Sequence, residues 1–264
     1  MKHFKNRLLR FMVLPTLCLS LLTPQVNVMA EDSILYGDVT ADSKVDSADY
    51  TKLRSYLIRN ISSLPNPQAA DVNLDGKIDS ADFTLLRKYL LKEIASLPYV
   101  RKTLDVPLCI QETNCWCWAA TTQAIIAYYT DSMPSQESIV RNTLKIPNDQ
   151  PLSYYNLNRP VEDIEDLISL EFNGISGHLV DINLDWYDLK KEIDAGRPIK
   201  ATIENDPPTS MAHCVLIYGY IDSPELQKVL YMDPDQWNGG KRESTREDFY
   251  RRWTCWAIAG ISKK

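Results

Sequence analysis

Residues 114–123, NCWCWAATTQ, place two cysteines one residue apart, immediately before a run of small side chains. The pattern over residues 117–129 predicts a helix that begins at Cys117, with Cys115 just outside it. A thiol at a helix N-terminus meets unpaired backbone amides and the positive end of the helix dipole, which favour the reactive thiolate. The small side chains that follow suit a helix buried beside a cleft. The stretch therefore predicts a nucleophile at Cys117.

The base for this thiol is chosen by elimination among the histidines. His3 lies in an N-terminal segment that is predicted to be removed, so His178 and His213 remain. His213 opens an apolar strand predicted at residues 213–220, directly after a loop, where a base can face a cleft. His178 is interpreted as a solvated strand residue and is the alternative. We expect His213 to be the base.

A third group should orient the imidazole of His213. Asp233 ends the next predicted strand, and Pro234 stops that strand from pairing further. Antiparallel pairing of the two consecutive strands would bring Asp233 beside His213. Asp235 and Asn238 lie close by in the sequence and are the alternatives for this role.

The sequence just before Cys117 also contains a candidate donor for the oxyanion that forms during attack on a carbonyl. Gln111 lies upstream of Cys117, where its side-chain amide could act together with the backbone N–H of Cys117. Cys115 is the alternative nucleophile, but it is closer to Gln111 in the sequence and lies outside the start of the helix.

Three motifs in combination resemble the bacterial papain-like cysteine peptidases, including the effector-type and bacteriocin-leader-type branches whose third residue is Asp. They are Gln-x5-Cys-Trp-Ala-Ala (111–120), Ala-His-x-Val-x-x-x-Gly-Tyr (212–220) and Asp-Pro (233–234). The resemblance covers residues 104–262 and implies hydrolysis of peptide bonds through an acyl-enzyme. It assigns the oxyanion donor to Gln111, the nucleophile to Cys117, the base to His213 and the orienting group to Asp233. Helices followed by antiparallel strands also predict an α+β domain.

Four other cysteines follow the N-terminal segment: Cys109, Cys115, Cys214 and Cys255. In an exported chain an even number is consistent with disulfides, and four cysteines allow three pairings. The alternative is that Cys214, which neighbours His213 on its strand, is simply buried.

An internal repeat lies before this domain. DVTADSKVDSADYTKLRSYLIRNISSLP (38–65) matches DVNLDGKIDSADFTLLRKYLLKEIASLP (71–98) at more than half of the aligned positions. Each copy carries oxygen-bearing groups at the spacing of a calcium loop, where a backbone carbonyl at position 7 completes the set. The candidate ligands are Asp38, Thr40, Asp42, Lys44, Asp46 and Asp49 in the first loop and Asp71, Asn73, Asp75, Lys77, Asp79 and Asp82 in the second. One amphipathic helix follows each loop. Two solvated acidic turns are the alternative interpretation.

This repeat resembles a type I dockerin, the module that attaches enzymes to cohesin domains of a cellulosomal scaffoldin. The resemblance covers residues 35–98 and implies a small all-α domain of two F-hands, two Ca²⁺ ions and a cohesin partner. The loop residues that help to recognise the cohesin in this family are Ser47 and Ala48 in the first copy and Ser80 and Ala81 in the second. Identical pairs in both copies imply two equivalent docking orientations.

The N-terminal segment indicates the compartment in which the protein acts, and the net charge indicates which partners are disfavoured. Residues 1–30 combine basic residues, an apolar centre and a small-residue site ending at Ala30, which predicts a secretory signal peptide. The net charge is −6 and becomes more negative on cleavage, which argues against nucleic acid or an anionic membrane as partner. No later stretch predicts a membrane span. Residues 99–103 are predicted to be a linker between the two domains.

Together these features predict a secreted, extracellular cysteine peptidase that is attached to a cellulosome, with a protein or peptide substrate. Ca²⁺ is expected in the dockerin only, with no cofactor for catalysis. The alternatives are a non-catalytic binding or peptidase-inhibitory module on the same fold, and another acyl transferase that uses the same three residues.

Overall fold

The computed structural model describes residues 34–153, 163–180, 184–204, 212–253 and 256–264. The predicted signal peptide at residues 1–30 lies outside the described residues, as does Cys255. Within the described ranges, no helix is long and apolar enough to cross a membrane.

The repeat folds into two equivalent halves. Helix α1 (Ser47–Leu57) and helix α2 (Ser80–Leu90) each begin with a capping box, in which an Asp caps the helix and the Asp three residues later bonds back to it. A short 3₁₀ helix (Gln68–Ala70) lies between the halves. Tyr50 and Phe83 stack with their ring centroids 4.1 Å apart. The buried core consists of Val39, Leu53, Leu64, Ala70 and Leu86.

The rest of the described chain forms a mixed domain of helices and one antiparallel sheet. Its helices are α3 (Cys117–Tyr129), α4 (Gln136–Leu144), α5 (Asp163–Glu171), α6 (Trp186–Asp194) and α7 (Arg246–Arg252). Its strands are β1 (Val100–Thr103), β2 (Ile175–Val180), β3 (Ile199–Glu204), β4 (Ala212–Ser223), β5 (Leu226–Asp233), β6 (Gly240–Thr245) and β7 (Ala257–Lys263). The α+β fold class is confirmed, although β1 precedes α3 and β2 lies between α5 and α6, so the helices do not all come before the strands.

The strand order is β2-β7-β3-β4-β5-β6, with every pair antiparallel, and β1 also pairs with β4. Strand β4 is the centre of the sheet. It pairs with β5 along one edge, while β3 and then β1 pair with successive parts of its other edge. Helix α3 packs against β4, and its apolar side chains share one core with those of β3, β4 and β5, so the predicted nucleophile and the predicted base belong to elements that pack on each other.

One boundary differs from the prediction. Residues 99–103 were expected to be a linker, but Val100–Thr103 form β1 and pair with Gly219–Asp222 of β4. The backbone N–H of Tyr99 donates to the carbonyl of Val72 at 2.9 Å, so the chain is still bonded to the repeat at the residue before β1 begins. The linker prediction is wrong for these four residues because their partner strand lies more than 100 residues later.

Candidate active site

Helix α3 begins at Cys117, as the sequence predicts, and its first ten residues are all buried. The N-cap, Trp116, makes no side-chain capping bond. Cys115 has a φ of 65°, a left-handed conformation that turns the chain sharply into the helix. Cys117 is 8% exposed, so its thiol lies at the inner end of the site with little contact with water.

The structure brings His213 and Asp233 together. His213 lies near the start of β4 and Asp233 at the end of the adjacent strand β5, and the Nε2 atom of His213 is 2.7 Å from Oδ1 of Asp233. The backbone N–H of Cys214, the residue after His213, donates to the Cys117 sulfur at 3.4 Å, and the thiol interacts electrostatically with His213. The three side chains therefore form one chain of interactions from thiol to imidazole to carboxylate.

The electrostatics of this chain favour an ion pair between Cys117 and His213. A hydrogen bond from Cys214 lowers the pKa of Cys117 against the effect of burial, and His213 lowers it further. Burial lowers the pKa of His213, but the bonds to Asp233 and Cys117 outweigh burial and raise it to about 10. These directions correspond to a thiolate beside an imidazolium, the state in which a thiol is a nucleophile.

Asp233 is held from two further directions. Its Oδ1 also accepts the backbone N–H of Asp235 at 3.0 Å, and its Oδ2 lies 3.3 Å from Nε of Arg242 on β6. Burial raises the pKa of Asp233, but the bond to His213, with the help of Arg242, leaves it below its ordinary value. No local pattern in the sequence marks Arg242, because its role depends on the pairing of β5 with β6.

Gln111 is buried and lies on a segment that is fixed on both sides. Its backbone N–H donates to the carbonyl of Pro234 at 2.8 Å, next to Asp233. Its Oε1 is buried and has no hydrogen-bond partner within the described ranges. An oxyanion would bind the Nε2 donor of this side chain, whereas the unpaired Oε1 is an acceptor.

A second glutamine, which the sequence analysis missed, holds the segment of Gln111. Gln136, at the start of α4, is 1% exposed. Its Nε2 donates to the carbonyl of Ile110 at 2.7 Å, and its Oε1 accepts the backbone N–H of Glu112 at 2.9 Å. The same Nε2 lies 3.1 Å from Oε1 of Gln123 on α3. Gln136 thus ties both neighbours of Gln111 to the helix that carries the nucleophile.

The alternative residues lie elsewhere or have other contacts. His178 is exposed on β2, which β7 and β3 separate from β4. Asp235 accepts the backbone N–H groups of Trp237 and Asn238 and so closes a turn. Burial raises the pKa of the Cys115 thiol, which disfavours its thiolate.

The disulfides expected among the remaining cysteines are not formed between described residues. Cys109, Cys115, Cys117 and Cys214 are free thiols, and Cys255 lies outside the described ranges. Cys214 is buried, which agrees with the alternative interpretation, but it is not remote from the site. Its backbone N–H donates to the Cys117 sulfur at 3.4 Å, and its own sulfur lies 3.7 Å from Oγ1 of Thr202.

The two acidic loops have the same internal geometry. In each, the first Asp accepts the backbone N–H groups of loop positions 5 and 6, and the last Asp accepts those of positions 3 and 9. Loop position 6 is left-handed in both copies, with φ of 67° at Ser43 and 80° at Gly76. The conformation that is free of strain for Gly76 costs about 1–2 kcal/mol at Ser43.

The oxygen donors of the two loops are of the kind that a hard cation prefers. Asp38, Asp49 and Asp82 are buried, and none of the ion pairs among the described residues includes them. Buried carboxylates require a balancing charge, and a donor set made only of oxygens is the one that Ca²⁺ prefers. In the described ranges no three His, Cys, Asp or Glu side chains already converge as metal ligands.

Comparison with known proteins gives a separate match for each domain. The model of the Peptidase_C39 like family matches residues 103–259, and that of the dockerin type I domain matches residues 36–91. Endoglucanase D of Acetivibrio thermocellus is 46% identical over 40 residues, which are 15% of this chain and 6% of that protein. The chain thus spans a small part of this curated relative.

Solved structures similar to each domain have low TM-scores. A type I cohesin–dockerin complex from Clostridium thermocellum contains a chain that is 35% identical, with a TM-score of 0.24, coverage of 25% of this chain and 97% of that chain. The peptidase domain of Streptococcus ComA, a bifunctional ABC transporter, is 16% identical, with a TM-score of 0.45. The match covers 60% of this chain and 98% of that chain.

Proposed function

The chain belongs to the Peptidase_C39 like family, and we propose that it is a cysteine peptidase that hydrolyses peptide bonds through an acyl-enzyme on Cys117. The observation that carries this proposal is the 2.7 Å contact of His213 with Asp233 beside the Cys117 thiol, whose sulfur accepts the backbone N–H of Cys214, the residue after His213. A nucleophile, its base and an orienting carboxylate on three separate elements form the arrangement that covalent acyl transfer requires.

The proposed reaction has two stages. The Cys117 thiolate attacks the peptide carbonyl carbon, while Gln111 and the backbone N–H of Cys117 stabilise the negative oxygen. The C–N bond then breaks as His213 gives its proton to the leaving amine, and a thioester remains on Cys117. His213 next takes a proton from water, whose oxygen attacks the thioester and releases the free acid.

We also propose where the enzyme acts. The dockerin domain would bind a cohesin of a scaffoldin outside the cell, after the predicted signal peptide at residues 1–30 has directed export. Asp38, Asp42, Asp49 and their counterparts in the second loop would hold two Ca²⁺ ions, which neutralise the buried carboxylates and fix the loops. Support comes from the dockerin match and from the backbone hydrogen bonds that the two loops have in common.

Digestion of a peptide library in water enriched in ¹⁸O tests the proposed reaction. We expect each new carboxyl terminus to carry one ¹⁸O atom, because water attacks the thioester. Products joined to an added amine would instead indicate acyl transfer, and an unchanged library would indicate a binding or inhibitory module. Either of these two outcomes would contradict the proposal.

The Asp233→Asn variant is expected to move the alkaline limb of the pH–rate profile. His213 is the acid that protonates the leaving amine, so activity falls as pH rises through the pKa of His213, which is about 10 in the native enzyme. Loss of the carboxylate charge removes an interaction that raises this pKa, and the alkaline limb of kcat/KM should move down by about one pH unit or more. The profile of kcat/KM from pH 5 upwards measures the effect.

Asp235→Asn is the matched control, because Asp235 contacts backbone amides and not the imidazole. Its alkaline limb should coincide with that of the wild type. An Asp233→Asn profile that falls at the wild-type pH would show that Asp233 does not raise the pKa of His213.

A further inference from the structure

Strand β3 carries a lysine inside an otherwise apolar, buried run. Ile199, Ala201 and Ile203 are fully buried, as their place inside the sheet requires, and Lys200 is equally buried, with 0% exposure. Lysine is almost never fully buried unless it is paired. The proposed reaction makes no use of Lys200, so its burial needs a separate explanation.

All three N–H groups of the Lys200 ammonium have acceptors. Nζ donates to the backbone carbonyl of Trp118 at 2.8 Å and to Oγ1 of Thr122 at 2.7 Å, both on α3. The third acceptor is the carboxylate of Asp166 on α5, which is also 0% exposed. A lysine has three donors, so this site satisfies it completely.

Stability alone does not account for this arrangement. A buried ion pair can often be replaced by apolar side chains of similar volume without loss of stability, because the cost of removing both charges from water offsets their attraction. The partners of Lys200 suggest another purpose. Trp118 directly follows the nucleophile, and its carbonyl also accepts a hydrogen bond from Oγ1 of Thr121 at 2.9 Å. The first turn of α3 is therefore held by side chains as well as by the backbone bonds of the helix.

Strand β3 also supports the base. Thr202 is the register partner of Cys214, and Ile203 is the register partner of His213. One short strand therefore connects to the nucleophile through Lys200 and to the base through the backbone ladder. We propose that Lys200 is a positioning residue that sets the place of Cys117 relative to His213, with Asp166 holding the ammonium in its buried site.

This inference rests on the proposed function of Cys117, but alkylation of the thiol tests it without any peptide cleavage. Four titratable groups interact with Cys117: His213 and Cys214 on β4, Cys115 before α3, and Asp166 on α5. Lys200 on β3 in turn interacts with Cys214 and Asp166. Removal of both Lys200 and Asp166 leaves the summed charge of this group unchanged. A change in the reactivity of Cys117 in that double variant then reports position.

The experiment compares Lys200→Met, the double variant Lys200→Met/Asp166→Leu and the milder Thr122→Val, which removes one acceptor of Lys200. Thermal unfolding, the rate of iodoacetamide alkylation at Cys117 across pH, and kcat are measured for each. We expect the double variant to recover thermal stability, while alkylation near neutral pH and kcat stay about 10- to 100-fold low. Thr122→Val should be folded and several-fold slower.

Lys228→Met is the matched control, because Lys228 lies on the same sheet and pairs with Glu243 at a partly exposed site. It should keep wild-type rates. Wild-type alkylation and kcat in the folded double variant and in Thr122→Val would overturn the proposal and leave the ion pair a purely structural feature. If the wild-type protein alkylates rapidly at Cys117 but cleaves no peptide, the peptidase proposal fails, while the alkylation rates still decide the role of Lys200.

Discussion

Cys117→Ala is expected to abolish peptide cleavage, with kcat reduced by about 10⁴- to 10⁶-fold, because no acyl-enzyme can form without the thiol. The same substitution should remove the fast site of iodoacetamide labelling, which the thiolate beside His213 provides. Peptide cleavage is followed by fluorescence, and labelling by mass spectrometry of the digested protein. His213→Ala should also lose fast labelling, because the thiol then loses its imidazolium partner.

Cys115→Ser separates the two neighbouring thiols. Cys115 lies outside the helix, and burial raises its pKa, so its substitution should leave both cleavage and fast labelling at wild-type levels. Fast labelling of Cys115, with Cys117 unmodified, would overturn the assignment of the nucleophile. Cleavage that persists in Cys117→Ala would overturn the acyl-enzyme mechanism itself.

Removal of calcium is expected to unfold the dockerin domain and to weaken cohesin binding by about 100-fold or more. This domain has a small core and several buried carboxylates, so the ion should supply much of its folding free energy. A ligand present at about 100 times its Kd contributes about 2.7 kcal/mol, and its loss is enough to unfold a marginally stable module. A titration with EDTA that follows cohesin binding and peptide cleavage together measures both effects.

Cleavage of a small peptide should stay within about twofold during the same titration. Tyr99 connects the second loop to β1, but β1 pairs with Gly219–Asp222, at the opposite end of β4 from His213. Loosening of the loop would therefore reach only the distant part of the strand. A fall in cleavage in step with cohesin binding would show that the two domains are coupled through β1.

Variants of the two loops give the matched comparison. Asp49→Ala and Asp82→Ala remove the same carboxylate from the first and the second loop. We expect the second loop to hold its ion more tightly, since Gly76 adopts the left-handed turn without strain and Ser43 does not. Asp49→Ala leaves the second loop intact, so this variant should bind calcium more tightly than Asp82→Ala in a calcium titration. Equal affinities of the two variants would contradict the expectation.

The sequence by itself determined those features that depend on local pattern. The start of α3 at Cys117 follows from the helical pattern after it, and the loop geometry follows from ligand spacing within a dozen residues. The contact of His213 with Asp233 was also predictable, because consecutive strands with a short connection pair antiparallel. In each case the residues that interact are close in the chain or are joined by a simple topology.

Only the tertiary structure decided which distant residues support the site. Lys200 is 82 residues from Trp118 and 34 from Asp166, and Gln136 is 26 residues from the carbonyl of Ile110 that it binds. The same holds for β1, whose partner strand is far away in the chain. No local pattern distinguishes a lysine that will be buried from one that will be solvated, because burial depends on how distant elements pack. The residues that perform the proposed chemistry thus carry a local signature, and those that position them do not.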